Sequence, residues 1–286
     1  MAIVLGPNRY GKAETRLVRV SRDGETHTLA DLTVGVALSG DLAATHLTGD
    51  NSGVLPTDTM KNTVYAFAKE HGVGEPEEFA LLLGRHFVTT QAQVRSARVS
   101  IEAHGWDRLG PHSFRRQGSH TRTAVVTVTE EAEQVVSGLT GLVLLNSTAS
   151  EFHGFPRDRY TTLAETTDRI LATAVDARWR HLDAGSDWGK SFAAALEALT
   201  KAFVDTYSHS LQQTLYAMGA HVLSARPEIA EIRLALPNKH HYLVDLSPFE
   251  LRNDNEVFLA GDRPYGLIEG TVSRDDAPPA LTEWYL

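Results

Sequence analysis

Alternation of apolar residues with polar or small ones marks the strands of this chain. In the clearest case, Leu32, Val34, Val36 and Leu38 alternate with smaller residues, which is the pattern of a half-buried strand. We expect a turn at Arg22-Asp23-Gly24 to join this strand to the one before it. Similar patterns and apolar runs predict strands at residues 13–20, 29–38, 92–103, 122–129, 135–145, 169–179, 231–236 and 242–246, with further apolar segments at 257–260 and 267–272.

Helices are predicted where apolar residues recur every three or four positions. Met60, Val64 and Phe67 form one such face, on a helix that begins near Pro56-Thr57-Asp58-Thr59 and ends near Gly72. We expect a threonine or the aspartate of that first segment to cap the helix.

Three further helices complete the pattern. One opens at Glu75-Pro76-Glu77-Glu78, where acidic residues meet the positive end of the helix dipole, and we expect His86 at the edge of its buried stripe. Another begins after Ser186-Asp187, and the last ends at Arg226-Pro227. The segment 106–119, between the strands predicted at 92–103 and 122–129, is predicted to be a long loop.

The elements follow the order strand-strand-helix-helix-strand-strand twice. Strands joined as hairpins, with helices between them, indicate antiparallel sheets with paired helices on one face. The order of elements therefore predicts an α+β chain built as a tandem duplication, with repeats at residues 1–133 and 134–286.

Composition narrows the function classes. The net charge of −9 argues against a nucleic-acid partner, whereas a small anionic substrate needs only a few local arginine and lysine side chains. No apolar run reaches the roughly 18 residues of a membrane span, so no membrane association is predicted. The chain has no cysteine, which excludes disulfides and thiol nucleophiles and suits a reducing compartment.

A polar break near the C-terminal end is a candidate for chemistry. Asn238, Lys239, His240 and His241 separate two alternating apolar runs, and histidine can relay protons near neutral pH. The alternative is a surface loop with solvated histidines. The two histidines and Asp245 do not predict a metal site, because on a strand only His241 and Asp245 would share a face.

Seven polar segments stand at the predicted ends of strands and helices, although the standard nucleotide-loop, serine-elbow and zinc-helix motifs do not occur. The segments are Tyr10-Gly11-Lys12 and residues 56–62 (PTDTMKN), 150–158 (SEFHGFPRD), 160–163 (YTTL), 168–171 (DRIL), 210–214 (SLQQT) and 237–240 (PNKH). In this order and spacing they resemble the urate oxidases (uricases), over about Gly6 to Glu269.

The resemblance implies a fold, an assembly and a reaction. The fold is the tunnelling fold (T-fold), with two units per chain that oligomerise into a β-barrel tunnel, in a homotetramer with active sites at subunit interfaces. The reaction is that of an oxidoreductase, in which urate, O2 and water give 5-hydroxyisourate and hydrogen peroxide without a metal or an organic cofactor. The resemblance also suggests a bacterial, cytoplasmic member.

The resemblance also implies residues that bind urate. Arg169 looks like the guanidinium that grips a urate carbonyl and ring nitrogen with two bonds, and Gln212 like the amide that holds the opposite edge. Phe152 looks like the ring that stacks on the purine, with Leu163 and Leu211 as apolar walls.

Each of these residues also has a purely structural interpretation. Arg169 would then form an ion pair with Asp168 or Glu165, and Gln212 would face solvent at a helix start. The three apolar residues would belong to the core.

Catalytic roles carry over in the same way. Thr57 and Asp58 match a pair that reaches the substrate from a neighbouring subunit, although helix capping would explain them equally. Lys12 looks like the lysine that, with Thr57, takes a proton from urate, and His240 like the relay for that proton. Asn238 looks like the group that holds O2 or water above the purine plane.

Two alternatives stay open. Another purine- or pterin-handling T-fold enzyme usually needs a metal or a pterin-binding glutamate, where this chain offers Arg169 and Gln212. A catalytically silent binding protein would have no use for a relay of Lys12, Thr57 and His240.

Overall fold

The computed structural model of the protein describes residues 1–22, 24–261, 263–282 and 284. Its largest element is an eight-stranded β-sheet. The strands are β1 (Tyr10–Ser21), β2 (Thr28–Gly40), β3 (Val94–Ala103), β4 (Trp106–Arg108), β5 (Phe114–Arg116), β6 (Thr121–Thr129), β7 (Glu133–Asn146), β8 (Leu171–His181), β9 (Ile229–Pro237), β10 (His240–Leu243), β11 (Phe258–Gly261) and β12 (Leu267–Ser273). The helices are α1 (Ala43–Leu47), α2 (Thr57–Glu70), α3 (Pro76–Thr90), α4 (Trp188–Asp205) and α5 (Leu211–Ala225).

The main sheet has the strand order β1-β2-β3-β6-β7-β8-β9-β12. The pairs β1–β2, β2–β3, β3–β6 and β9–β12 are antiparallel. Along the chain, helices α2 and α3 come between β2 and β3, and helices α4 and α5 come between β8 and β9. The predicted α+β class and the repeated order of elements are therefore confirmed.

The chain forms two compact units. The first unit comprises residues 1–138, 179–192 and 278–282, and the second comprises residues 139–178 and 193–277. The division into repeats at residues 133 and 134 stays a prediction. No helix in the described part of the chain is long and apolar enough to cross a membrane.

The core of the first unit lies between its strands and helices. Leu32, Val34, Val36 and Leu38 are all buried, so the alternation in β2 marks the face covered by helices. His86 lies half-buried on α3, where its ring makes edge contacts with aromatic neighbours, as predicted for the core edge. The predicted turn at residues 22–24 includes a residue that lies outside those described.

A glycine allows the second helix of each half to approach its sheet closely. A Cβ atom on Gly84 of α3 would lie 2.7 Å from Val128 Cγ2 of β6. A Cβ atom on Gly219 of α5 would lie 2.6 Å from Val272 Cγ2 of β12. Both distances are too short for a non-bonded contact between two carbon atoms. Glycine at both positions therefore allows each helix to pack this closely on the sheet.

Two local predictions are wrong. Neither Thr57 nor Asp58 caps α2, because the N-cap is Pro56, whose carbonyl oxygen accepts from Thr59 N–H at 2.9 Å. The segment 106–119 is not only loop, since β4 and β5 form a small antiparallel hairpin within it. Strands of three residues are too short to show a hydrophobic period.

The end of the second half also differs from the prediction. The strand predicted at 242–246 does not pair with β9, because the antiparallel neighbour of β9 at the edge of the main sheet is β12. Instead β10 starts earlier, at His240, and pairs with β11 in a separate two-stranded sheet. Alternation identifies a strand but not its partner, so the sequence could not distinguish these pairings.

Candidate active site

A cavity of about 390 Å³ in the second unit collects five of the predicted site residues. It lies between the long loop that joins β7 to β8 and the segment that runs from β9 to β11. The predicted residues in its lining are Phe152, Leu163, Arg169, Asn238 and His240. An aromatic ring, a guanidinium, an amide and an imidazole therefore face one space.

Arg169 presents a guanidinium that has no acidic partner among the residues the structure describes. Its backbone N–H donates to the carbonyl oxygen of Ser150 at 2.9 Å, and its Nε–H donates to Ser150 Oγ at 3.3 Å. The guanidinium carbon lies 5.2 Å from the centroid of the Phe152 ring. Burial lowers the pKa of Arg169, yet arginine stays protonated in proteins. The site thus holds a positive charge that an anion can neutralise.

The ion pairs considered for Arg169 do not form. Asp168 accepts a hydrogen bond from Thr148 Oγ1 at 2.7 Å, and Glu165 accepts one from Gly154 N–H at 3.1 Å. Both neighbouring carboxylates are thus engaged away from the guanidinium.

Backbone hydrogen bonds hold the segment that carries Asn238 and His240, which line the same cavity as Arg169. Asn238 N–H donates to Gly266 O at 2.8 Å, and Lys239 N–H donates to Ala172 O at 2.8 Å. His240 opens β10, and its ring lies 5.8 Å from that of Tyr242. The polar break of the sequence is therefore an ordered crossing from β9 to β10.

Leu211 and Gln212 lie at the start of α5 and do not line this cavity. Ser210 caps the helix by accepting a hydrogen bond from Gln213 N–H at 3.2 Å. Leu211 is buried, whereas Gln212 is exposed. In the single chain both residues therefore have the surroundings that the structural interpretation predicts.

Lys12 lies on β1 in the first unit, at a β-bulge. The pairing of β1 with β2 shifts between Lys12 and Thr15, and Glu14 within the bulge has φ = 54°. A cavity of about 330 Å³ at this point is lined by Lys12 together with Arg9 and Arg98. The half-buried lysine therefore lies in a positively charged recess.

Thr57 and Asp58 begin α2, also in the first unit. No side chain caps this helix start, so its terminal N–H groups can serve an anion. The Asp58 carboxylate pairs with Lys61 and accepts a hydrogen bond from Asn62 at 3.1 Å. Lys61 holds the pKa of Asp58 below its usual range, with a smaller effect from Lys12.

Comparison with known proteins shows the family of this chain. The sequence model of the family described as "Uricase" matches residues 8–127 and 135–269. The chain belongs to the uricase family.

Individual relatives match nearly the whole chain. The uricase of Arthrobacter globiformis is 52% identical over 275 residues, which cover 96% of this chain and 91% of that protein. The uricase of Dictyostelium discoideum is 39% identical, over 93% of this chain and 96% of its own length. The crystal structure of the Arthrobacter globiformis uricase superposes with a TM-score of 0.95 and covers 98% of both chains. The chain is therefore a urate oxidase, which is an oxidoreductase. The resemblance to uricases found in its sequence is confirmed.

Several residues that line the cavity in the second unit were not predicted from the sequence to belong to the site. They are Thr166, Tyr242, Asn255 and Phe258. The positions of Tyr242 and Phe258 depend on the pairing of β10 with β11, which the sequence did not predict. Among the described residues, no cluster of three or more histidine, aspartate or glutamate side chains is arranged to hold a metal ion.

Proposed function

We propose that this protein oxidises urate with O2 and water to 5-hydroxyisourate and hydrogen peroxide, using no metal or organic cofactor. The observation that carries the proposal is the guanidinium of Arg169, which has no acidic partner among the described residues and lies over the Phe152 ring. A flat anion such as urate would satisfy both groups, by a bidentate pair and by stacking.

The binding roles that we propose are those that the family resemblance implies. Arg169 binds a urate carbonyl and ring nitrogen, Phe152 stacks on the purine face, and Leu163 and Leu211 enclose it. Gln212 binds the opposite edge with its amide oxygen and nitrogen. The exposure of Gln212 leaves that amide accessible for the contact.

The proposed proton relay has three members. Lys12 and Thr57 take a proton from urate, and His240 passes it between them and the catalytic water. Asn238 holds O2 or water above the purine plane. In the proposed homotetramer, Thr57 and Asp58 reach the urate bound by the neighbouring subunit.

The proposed reaction needs only a few protein groups, because urate itself supplies the electrons that reduce O2. Loss of a further proton makes the urate anion electron-rich, and it transfers two electrons in all to O2. A peroxide adduct forms and releases hydrogen peroxide, and water adds to the oxidised ring to give 5-hydroxyisourate. The protein stabilises charge and orients the reactants, which is the main contribution expected of such a site.

The proposal is tested by following urate in air with protein dialysed against a strong chelator. We expect one hydrogen peroxide per urate consumed, unaffected by chelation, and loss of turnover in Lys12→Ala and Thr57→Ala. Turnover that disappears on chelation, or that survives both substitutions, would contradict the cofactor-free relay. A cytoplasmic location is proposed as well, and cell fractionation would test it.

A further inference from the structure

The segment Ser150–Phe152 connects two parts of the second unit that carry proposed urate contacts. On one side, Phe152 pairs with Thr166 through two backbone hydrogen bonds of 2.8 and 3.1 Å. The backbone N–H of Arg169 donates to Ser150 O on the same side. The stacking ring and the guanidinium are therefore held in one local structure.

On its other side, the segment runs beside the turn that begins α5. Glu151 N–H donates to Ser208 O at 2.8 Å, and Ser208 N–H donates to Ala149 O at 3.0 Å. The helix that follows this turn starts with Leu211 and Gln212. These backbone bonds end at Glu151, one residue before the stacking ring.

The Glu151 side chain continues the connection where the backbone bonds stop. Its Oε1 pairs with His209 Nδ1 and lies 3.1 Å from His153 Nε2. Its Oε2 accepts from Tyr207 Oη at 3.0 Å. The carboxylate is only 13% exposed, although it lies in a surface loop.

The electrostatics keep this group ionised. The hydrogen bond from His209 is the largest cause that lowers the pKa of Glu151, followed by that from Tyr207 and by the charges of His153 and His209. An ionised carboxylate only accepts hydrogen bonds, so His209 must carry its proton on Nδ1 and His153 on Nε2. All three neighbours therefore act as donors.

We propose that Glu151 is a positioning residue for urate binding, fixing the stacking ring of Phe152 relative to the Gln212 amide at the start of α5. The inference rests on the proposed function, in which these two residues contact the same purine. Two groups on separate elements bind a rigid ligand tightly only when their spacing is set before the ligand arrives. The carboxylate contacts the residues on both sides of this gap, namely His153 next to Phe152 and His209 at the turn before α5.

The test is equilibrium titration of urate without oxygen, where binding is separated from oxidation. Glu151→Gln keeps the shape but loses the charge, and we expect about tenfold weaker urate binding, the effect of one charge-assisted hydrogen bond. Turnover at saturating urate should stay within about twofold, because the relay is untouched. Glu133→Gln, which breaks a two-bond pair with Arg85 in the first unit, is the matched control and should leave urate binding unchanged.

A double-mutant cycle separates positioning from general loss of stability. If Glu151 acts through His209, then His209→Ala weakens urate binding, and the double variant binds about as well as Glu151→Gln alone. Glu151→Gln with unaltered urate affinity, or with kcat reduced as much as kcat/KM, would overturn the inference. Additive losses from the two substitutions would also overturn it.

Failure of this inference and failure of the proposed function have different signatures. A wild-type protein that neither binds nor consumes urate would contradict the proposed function. A wild-type protein that binds and oxidises urate, with a Glu151→Gln variant that binds it equally well, would contradict only the role of Glu151.

Discussion

At the residue scale, Glu77 shows how a surface pattern can conceal a buried charge. The sequence places it among acidic residues that meet a helix dipole, yet its side chain is completely buried. Arg122 donates to its Oε2 at 2.7 Å, and Ser137 donates to its Oε1 at 2.5 Å. Burial raises the pKa of Glu77, and the Arg122 charge opposes that rise. These partners are distant in sequence, so local patterns could not predict them.

Removal of Glu77 should be costly. Glu77→Ala leaves Arg122 with Glu75 as its remaining carboxylate partner and leaves Ser137 without its buried acceptor, and such a loss of buried hydrogen bonds costs about 1–3 kcal/mol. We expect a loss of unfolding free energy of that size in urea titration at fixed protein concentration. Glu130→Ala is the control, since it breaks an exposed pair with Arg95, for which about 0–1 kcal/mol is expected. Equal losses in the two variants would contradict the buried-pair account.

At the element scale, the approach of α5 to β12 gives a test of packing. A Cβ on Gly219 would meet Val272 Cγ2 and Cβ at 2.6 and 2.9 Å. Alanine is the better helix former, but overpacking costs more, so we expect Gly219→Ala to lose about 1–2 kcal/mol of unfolding free energy. Gly118→Ala, where an added Cβ meets nothing within 4 Å, is the control.

A second substitution decides whether steric contact is the cause. Val272→Ala removes the shorter contact, with Cγ2 at 2.6 Å, and keeps the one with Cβ at 2.9 Å. We therefore expect the double variant with Gly219→Ala to be more stable than the sum of the single losses predicts. Strict additivity, measured in the same urea titrations, would show that the contact with β12 is not limiting.

Elements were predictable from sequence in proportion to their length. The helices α2, α3, α4 and α5 and the long strand β2 show a clear hydrophobic period, and all of them were predicted. Strands β4 and β5 have three residues each, too few to define a period. The pairing of β9 with β12 was missed because a period-two pattern identifies a buried face without identifying the neighbouring strand.

At the scale of the whole molecule, the predicted site residues belong to three groups. Phe152, Leu163, Arg169, Asn238 and His240 share a cavity in the second unit. The sequence indicated these five only through the family resemblance of its polar segments, since by composition alone Phe152 and Leu163 would belong to the core. Glu151 and His209 were not assigned roles, since their contact joins loops that lie 58 positions apart.

A second group, Leu211 and Gln212, lies at the start of α5 in the second unit. The third group, Lys12, Thr57 and Asp58, belongs to the first unit. If the site is completed across a subunit interface, one defective chain can supply what another lacks. Co-expression of Lys12→Ala chains with Arg169→Gln chains then creates mixed interfaces. At each of these, one site has an intact Arg169 from the first chain and an intact Lys12 from the second.

Random mixing predicts recovery of about a quarter of wild-type activity, since half of two-fold interfaces are mixed and one of their two sites is intact. Lys12→Ala chains mixed with Thr57→Ala chains form the matched control. Both lesions affect the same contributed half, so no mixed site is complete and no activity should return. The measurement is peroxide release by the co-purified tetramers. Equal silence in both mixtures would mean that a single chain supplies the whole site, whereas recovery only in the first mixture would require a site shared between subunits.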